Sequence, residues 1–298
     1  MVSMVNTTAK KKKMTVADIA IIAFIVALSI TCIVPFLYMI ALSFSSNEAI
    51  IAQKVGLWPV GFTAETYKTI LTDVDMLYTL GYSIVLTVLY TVVCMFLTIC
   101  AAYPLTKKRL MGRNFILTAL VFTMYFSGGL IPSYILVKNL GMMNTVWSLV
   151  LPGAMSVFNM IILKTFFTNL PESLEESAAI DGCSDLGILI KIVLPLSLPS
   201  IATLSLFYAV DRWNGFQDAL FYITKKNLYP MQMKLYQIIS ANQQLDSQQG
   251  GEGSVGSFIV PESLKAASVM FTTIPILLIY PKLQKYFVDG VMTGAIKG

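Results

Sequence analysis

Residues 19–42 read IAIIAFIVALSITCIVPFLYMIAL and contain no charged side chain. A helix needs about 20 apolar residues to cross the hydrocarbon core of a bilayer, so this run is long enough for one crossing. It follows four consecutive lysines, Lys10 to Lys13, as the apolar part of a signal peptide would. The run is too long for a signal peptide, however, and lacks a small-residue cleavage site, so we expect an uncleaved membrane anchor.

The composition of the whole chain agrees with a lipid environment. Of its 298 residues, 56% are hydrophobic and 12% are charged, whereas soluble domains carry about 25% charged residues. This balance disfavours a secreted enzyme, a disordered regulator and a DNA-binding domain. Histidine is absent, which excludes a histidine-based catalytic triad, proton relay or zinc site. The cysteines form no C-x-x-C pair and are expected to be structural thiols; they are Cys32, Cys94, Cys100 and Cys183.

Five further apolar runs predict five more spans, so we expect an all-α membrane protein with six transmembrane helices. The runs cover about 77–102, 115–136, 145–167, 188–210 and 264–281. Pro195 and Pro199 lie inside the fifth span and are expected to kink or interrupt it, which neighbouring helices can accommodate. An even number of spans puts both termini on the same side of the membrane.

The distribution of lysine and arginine predicts which side that is. Positive charge near short loops marks the cytoplasm. The basic residues of the short segments fall on one face; they are Lys10 to Lys13, Lys107, Lys108, Arg109, Arg113, Lys164, Lys191, Lys282, Lys285 and Lys297. Both termini are therefore expected to be cytoplasmic, while segments 43–76 and 211–263 face outside. This asymmetry also accounts for the net charge of +5, which does not indicate a nucleic-acid partner.

The glycine-rich part of the outer segment predicts a loop rather than a nucleotide site. Residues 243–257 are low in complexity and are expected to be flexible. Residues 251–256 match G-x-G-x-x-G, but the preceding strand and following helix of a dinucleotide site are missing, since glutamine-rich sequence precedes them and Pro261 follows. The dipeptide Gly-Lys never occurs, so the chain has no P-loop. If ATP drives this protein, another chain must bind it.

The segment between spans four and five, PESLEESAAIDGCSD from Pro171 to Asp185, predicts a short acidic helix on the cytoplasmic side. Residues 172–181 contain no glycine or proline and carry glutamates early, where the helix dipole favours anions. Asn169 is a candidate N-cap, and Pro171 suits the first turn. Gly182 can end the helix in the left-handed conformation.

Two interpretations of this helix stay open from its chemistry alone. The small residues Ser177, Ala178 and Ala179 would let another surface approach closely, and the glutamates would meet guanidinium groups there. Alternatively, the helix is only a solvated loop element in which Glu176 closes a capping box with Ser173.

The same segment resembles the EAA loop of bacterial ABC importer permeases. It has Glu176-Ser177-Ala178, then Gly182, then nine residues before Ile192-x-Leu194-Pro195. Ser177 stands where the family usually has alanine, and serine is small enough that we expect docking to survive.

Three further segments resemble the carbohydrate-uptake branch of these permeases and, within it, the maltose-type second permease subunit. They are FSGGLIP at 126–132, NLG with NT at 139–145, and YFVDGVMTGAIKG at 286–298. The resemblance is closest to permeases proposed to import complex oligosaccharides such as aldouronates.

The resemblance implies the type I ABC importer permease fold in a multi-pass protein of the bacterial cell (inner) membrane. Such a permease is not an enzyme and needs no cofactor or metal of its own. The implied partners are a second permease subunit, two cytoplasmic ABC ATPase subunits, an extracellular solute-binding protein, an oligosaccharide substrate and membrane lipid. The residues implied to couple to an ATPase subunit are Glu175, Glu176, Ser177, Ala178, Ala179, Asp181 and Gly182.

The expected organisation is a cytoplasmic segment at 1–18, a transmembrane permease domain at 19–284 and a cytoplasmic tail at 285–298. Within the permease domain, the coupling helix is expected at about 171–185 and the outer loop at 211–263.

Aromatic and polar residues in or near the spans are candidates for the substrate pathway, because sugar sites combine aromatic faces with hydrogen-bonding groups. The candidates are Tyr82, Tyr125, Asn159, Arg212, Trp213 and Asn214. Arg212, next to Asp211 near the outer end of span five, is expected either to attract an acidic sugar or to pair with the partner permease. The alternative is an ion-coupled secondary transporter. That class needs inverted repeats and a buried ion site, whereas the sequence shows no internal repeat and no central carboxylate pair.

Overall fold

The computed structural model describes residues 16–248 and 262–278, and every regular element in these ranges is a helix. The predicted tail at 285–298, most of the segment 1–18 and the glycine-rich stretch from 249 onwards lie outside the described residues. Within the described ranges, residues 16–67 and 262–267 form one compact unit, and residues 68–248 and 268–278 form a second.

The first unit begins with the predicted anchor. Helix α1 (Val16–Ser43) is long and apolar enough to cross a membrane, and its apolar side chains are mostly exposed, as expected where the solvent is lipid. Ser46 caps the short helix α2 (Asn47–Ile51). The following loop folds back onto Phe44, whose ring stacks on Phe62 at a centroid distance of 5.3 Å, and helix α3 (Glu65–Thr72) follows.

The second unit is built around helix α4 (Val74–Ala102). Asp73 caps it, since its carboxylate accepts hydrogen bonds from the backbone N–H groups of residues 75 and 76. Its buried residues recur every three or four positions, apart from the adjacent Cys94 and Met95, which defines one buried face. They are Met76, Thr79, Ser83, Leu86, Tyr90, Cys94, Met95, Thr98 and Ala102. A 3-10 turn (Pro104–Thr106) continues α4 towards the basic residues that follow.

Two of the predicted spans are broken by glycine and proline. The run 115–136 is divided into α5 (Arg113–Tyr125) and α6 (Leu130–Asn139), which are bent by 113° at a Ser-Gly-Gly break where Gly129 has φ +85°. The run 145–167 is divided into α7 (Trp147–Val150) and α8 (Val157–Thr168), with Pro152 and Gly153 in the gap. Each of these two runs therefore consists of two helical segments, because these residues interrupt the backbone ladder.

The predicted kink of the fifth span is confirmed. After the loop helix α9 (Glu172–Ile180), the chain forms α10 (Asp185–Ile188), a π-helical turn (Leu189–Val193), α11 (Leu194–Leu196) and α12 (Leu198–Asn214). The two halves of this bent pair meet at 82° between Pro195 and Pro199. Helix α12 packs against α4 and α8.

The outer segment holds more helix than predicted. Helix α13 (Gln217–Tyr222) and a 3-10 turn (Lys226–Leu228) lead to α14 (Met231–Gln248), so residues 243–248 are helical and not part of a flexible loop. Residues 262–278 form the last described helix, α15. Among the described residues, two helices are long and apolar enough to cross a membrane, or up to four if each bent pair is one span. The six-span count and the cytoplasmic termini stay predictions.

Candidate functional site

The acidic loop helix α9 forms where the sequence predicts it, with a different beginning. It starts at Glu172 after Pro171, and no side chain caps it. Asn169 is not the N-cap, because α8 extends to Thr168 and Asn169 terminates that helix instead. The end of α9 is as predicted. Gly182 has φ +81°, its N–H donates to Ala179 O at 3.1 Å, and the next N–H donates to Ala178 O at 2.9 Å, which together make a Schellman cap.

The capping-box interpretation of Glu176 is wrong in this structure. A capping box requires Ser173 at the N-cap, but Ser173 is the second residue of the helix. Its carbonyl oxygen instead accepts a hydrogen bond of 2.8 Å from the Ser177 hydroxyl, one turn later. Glu176 therefore has no capping role.

A basic tripeptide, Lys107-Lys108-Arg109, holds the acidic residues around α9 from one side, and we refer to it as the basic clamp. Its three ion pairs join Lys107 to Glu175, Lys108 to Glu172 at 3.1 Å, and Arg109 to Asp185. The pairs differ in exposure. The side chains of Lys107 and Glu175 are 19% and 26% exposed, whereas the other four are at least 56% exposed. The Lys107–Glu175 pair is thus the one most sheltered from solvent.

Tyr103, at the end of α4, strengthens the clamp. The Lys107 ammonium lies 4.4 Å from the centroid of the Tyr103 ring, and the Tyr103 hydroxyl donates to Asp185 O at 3.2 Å. Partial burial acts to lower the pKa of Lys107, but the hydrogen bonds to Glu175 and Tyr103 outweigh it and raise that pKa above its ordinary value. Lys107 therefore stays charged throughout the physiological range.

Beside the clamp, one face of α9 is open, and its residues Glu176 and Ala179 line the recess that the clamp residues also line. Glu176, Ala179 and Asp181 are exposed, and Ile180 is 86% exposed. Glu176 has no ion-pair partner within the part of the chain that the structure describes. The sequence predicted that Ala178 would lie on the exposed side of the helix, but this residue is buried in the core at 7% exposure. The predicted coupling residues thus divide into a held set, which includes Glu175 and Ala178, and an open set, which includes Glu176. Ile180, which was not among the predicted residues, is exposed beside Glu176.

The predicted substrate residues do not share one site. Arg212 and Asn214 line a cavity of about 370 Å³ at the end of α12. Trp213 points elsewhere, since its indole N–H donates to Thr272 O at 3.3 Å and its ring lines an apolar groove between α4 and α12. Three other candidates lie outside the cavity: Tyr82 is half-buried, Tyr125 is 79% exposed and Asn159 is buried.

Arg212 is bound within its own chain. Its side chain is 5% exposed. The guanidinium makes a bidentate contact with Asp218 and donates to Leu149 O at 2.8 Å and Gly215 O at 3.1 Å. The expectation that Arg212 attracts an acidic sugar or pairs with a partner permease is therefore wrong, because its charge is neutralised at short range. The sequence prediction missed Asp218, Tyr90 and Gly153, which also line the cavity.

Known proteins of similar sequence bear on both the α9 surface and the cavity at the end of α12. Residues 109–293 match the family model described as "Binding-protein-dependent transport system inner membrane component". The chain is 44% identical over 284 residues to the polygalacturonan/rhamnogalacturonan transport system permease protein YtcP of Bacillus subtilis (strain 168), which covers 94% of this chain and 98% of the relative. It is 42% identical over 295 residues to protein LplC of the same organism, covering 99% of each.

A solved structure agrees with the fold. The crystal structure of a bacterial ABC transporter involved in the import of the acidic polysaccharide alginate contains a chain that is 27% identical to this one. The two superpose with a TM-score of 0.82, covering 93% of this chain and 99% of that chain.

Proposed function

Because the chain belongs to the family of binding-protein-dependent transport system inner membrane components, we propose that it is one permease subunit of an ATP-driven importer for an oligosaccharide. Its helical architecture matches the type I ABC importer permease fold. The family comprises transport permeases rather than enzymes. The sugar assignment is supported by the relatives, whose names specify polygalacturonan/rhamnogalacturonan and alginate.

In this proposal the chain forms half of a translocation pathway. A second permease subunit forms the other half, two cytoplasmic ABC ATPase subunits supply the energy, and an extracellular solute-binding protein delivers the sugar. ATP shifts the pathway between outward and inward access only if the ATPase subunits bind the two conformations with different affinity. A contact that carries this difference must lie on the cytoplasmic side, where the predicted topology puts α9.

The division of α9 into a held face and an open face is the observation that carries the proposal. Glu176 and Ile180 are one turn apart and therefore neighbours on the open face, which combines a carboxylate with an exposed apolar side chain. A groove of an ATPase subunit that offers an arginine or lysine beside an apolar wall would match both. The clamp, which adjoins this open face, keeps α9 attached to the permease while the face is bound.

Replacing Glu176 tests this contact. Glu176→Lys would put like charges together and remove a charge-assisted hydrogen bond, worth about 1.5–3 kcal/mol or roughly 10- to 150-fold in affinity. We expect the variant to insert in the membrane but to lose the ATPase subunits or the sugar-stimulated ATP hydrolysis. The measurement is ATPase retention and stimulated hydrolysis in reconstituted transporters.

The control makes the same change of charge elsewhere. Glu48→Lys replaces an exposed glutamate in α2, which lies in the segment predicted to face outside, and should leave both readouts unchanged. If Glu176→Lys transporters assemble and import sugar at the parent rate, the coupling assignment is wrong. Uptake that persists with a non-hydrolysing ATPase subunit would instead favour an ion-coupled secondary transporter.

A further inference from the structure

The cavity beside Arg212 lies where a predicted span is broken. Between α7 and α8 the chain leaves the helical path, so the backbone groups there lack their usual partners. In a membrane, such groups are tolerated only when protein or a water-filled cavity satisfies them. Here side chains of α4 and α12 do so. Tyr90 donates to Gly153 O at 2.9 Å, Arg212 donates to Leu149 O at 2.8 Å, and Ser156 N donates to the Tyr208 hydroxyl at 3.0 Å.

These contacts leave one strong acceptor without a good donor. The Tyr90 hydroxyl has a single proton, and its 2.9 Å contact with Gly153 O uses it. Among the described residues, the Asp211 carboxylate has one hydrogen-bond contact, at 3.4 Å, and it is with this same Tyr90 hydroxyl. Asp211 is exposed at the cavity, together with the amide side chains of Asn214 and Gln217.

We propose that this cavity, between the α7–α8 break and the α12–α13 turn, binds a neutral glycosyl unit through the Asp211 carboxylate. The proposal rests on the proposed sugar-import function and names a site for it. At about 370 Å³, the cavity falls near the lower end of the range of about 300–1,000 Å³ that small-molecule sites occupy. A carboxylate accepts hydrogen bonds at both oxygens, so it can accept from two adjacent sugar hydroxyls. The amides of Asn214 and Gln217 supply further donors and acceptors beside it.

The charge of the cavity favours a neutral sugar ring over a uronate. Arg212 and Asp218 neutralise each other through their bidentate contact. Asp211 remains, so the lining carries one net negative charge. A ligand carboxylate placed beside Asp211 would be repelled and would lack a free cation to pair with it. An acidic oligosaccharide would then have to present its hydroxyl side to this cavity.

Protection from thiol labelling tests the site directly. Asn214→Cys and Gln217→Cys, each in a chain whose Cys32, Cys100 and Cys183 are replaced by serine, place a reporter in the cavity. Cys94 is retained because it is fully buried. Assembled transporters in lipid nanodiscs, with the solute-binding protein omitted, are labelled with a polar maleimide. The two probes, α-1,4-galactotriose and trigalacturonate, differ only in the oxidation of carbon 6 of each ring.

We expect galactotriose at millimolar concentration to slow labelling at both reporters, and trigalacturonate to need an about tenfold higher concentration for the same protection. Lys226→Cys, exposed outside the cavity, is the matched control and should not be protected. Adding Asp211→Asn should raise the half-protecting concentration of galactotriose about tenfold and remove the difference between the two probes. A purely structural role of Asp211 would weaken protection by both probes equally.

Three results would overturn the proposal: no protection at either reporter, protection by trigalacturonate at least as good as by galactotriose, or no effect of Asp211→Asn. Uptake by the parent transporter with its binding protein, measured alongside, distinguishes failure of the cavity proposal from failure of the proposed import function. A transporter that imports oligosaccharide but shows no protection rules out this cavity alone, whereas one that imports no sugar rules out the proposed function.

Discussion

Replacing Lys107 with methionine should loosen α9 without unfolding it. Lys107→Met keeps the apolar stem of the side chain in place but deletes the ammonium that contacts Glu175 and the Tyr103 ring. The Glu175 carboxylate would then lie partly buried with no cation beside it. We therefore expect α9 to open more often, while the α4–α12 packing, which Lys107 does not contact, stays intact.

The size of the effect follows from the exposure of the pair. Breaking a fully buried ion pair costs about 3–5 kcal/mol, and exposed pairs contribute about 0–1 kcal/mol. With side chains 19% and 26% exposed, the Lys107–Glu175 pair falls between these limits. Together with the contact on Tyr103, an opening free energy lower by about 2–3 kcal/mol is expected, or roughly 30- to 150-fold in the opening equilibrium.

Hydrogen exchange of the α9 amides in the assembled transporter measures this opening. The control is Lys108→Met, which breaks a pair whose side chains are 80% and 69% exposed and should change exchange by about fivefold at most. Adding Glu175→Gln to Lys107→Met should restore part of the protection, since the unpaired charge is removed. Equal exchange in Lys107→Met and Lys108→Met would refute the argument that burial ranks the three pairs.

The clamp also has a predicted pH dependence. Because the folded-state pKa of Lys107 lies above its ordinary value of 10.5, its stabilising effect is fully present below that value and is lost as pH rises through the folded pKa. Protection of α9, corrected for intrinsic exchange, should therefore be constant from about pH 6 to pH 9 in the parent. A loss of the Lys107-dependent protection within that window would contradict this charge assignment.

Two further predictions concern the end of α9 and the topology. Gly182→Ala should destabilise the end of α9 by about 1–2 kcal/mol, and Gly182→Asn by less, because asparagine tolerates a positive φ better than alanine does. The strain comes from the φ of +81°, since a Cβ atom at this position would meet nothing within 4 Å. Hydrogen exchange at residues 179–183 measures the destabilisation, and equal effects of the two variants would contradict this prediction. A cysteine introduced at position 250 should react with an impermeant thiol reagent from outside, whereas one at position 110 should not, because the basic residues of the short loops predict that orientation. The reverse pattern would invert the predicted topology and rule out the proposed coupling role of α9.

The helical class of the fold could be predicted because long apolar runs have few alternatives in lipid. The exact course of those runs could not. Hydropathy does not distinguish a continuous helix from two segments, so the run 115–136 conceals a bend of 113°. The local signals were present in Gly129 and in Pro152-Gly153. The kink at Pro195 and Pro199 was predicted because two prolines in one span outweigh the hydropathy signal.

The contacts that hold α9 could not be predicted from the sequence, for a different reason. The sequence identifies Lys107, Lys108 and Arg109 only as markers of the cytoplasmic side, and that inference needs no partner for them. Their pairing with α9 spans more than 60 residues of chain, from Lys108 to Glu172 and from Lys107 to Glu175, and no periodicity records such contacts. Gly182, in contrast, was predictable because a helix end with positive φ is a local property of the chain.

The partner of Arg212, near the predicted outer end of the fifth span, could likewise not be predicted from the sequence. A buried cation is expected to have a partner, and the sequence offered the adjacent Asp211 and other chains. The actual partner, Asp218, comes within reach because the chain turns at Gly215 between α12 and α13, where the Gly215 carbonyl also accepts from Arg212. A periodic helix would have placed Asp218 almost two turns away.

Helix α4 leads from the cavity to the basic clamp, and this gives the two proposals a common mechanical test. Tyr90 fastens the helix to the α7–α8 break beside the cavity. Beyond its other end, Tyr103 contacts Asp185 of α10, and Lys107 contacts Glu175 of α9. About 20 Å of helix separates Tyr90 from Tyr103 at 1.5 Å per residue, so neither site contacts the other directly. If α4 moves as one body when α9 is displaced, Lys107→Met should weaken the effect of nucleotide on thiol labelling at Asn214→Cys. Nucleotide-dependent labelling that is indifferent to Lys107 would mean that the coupling runs through another element.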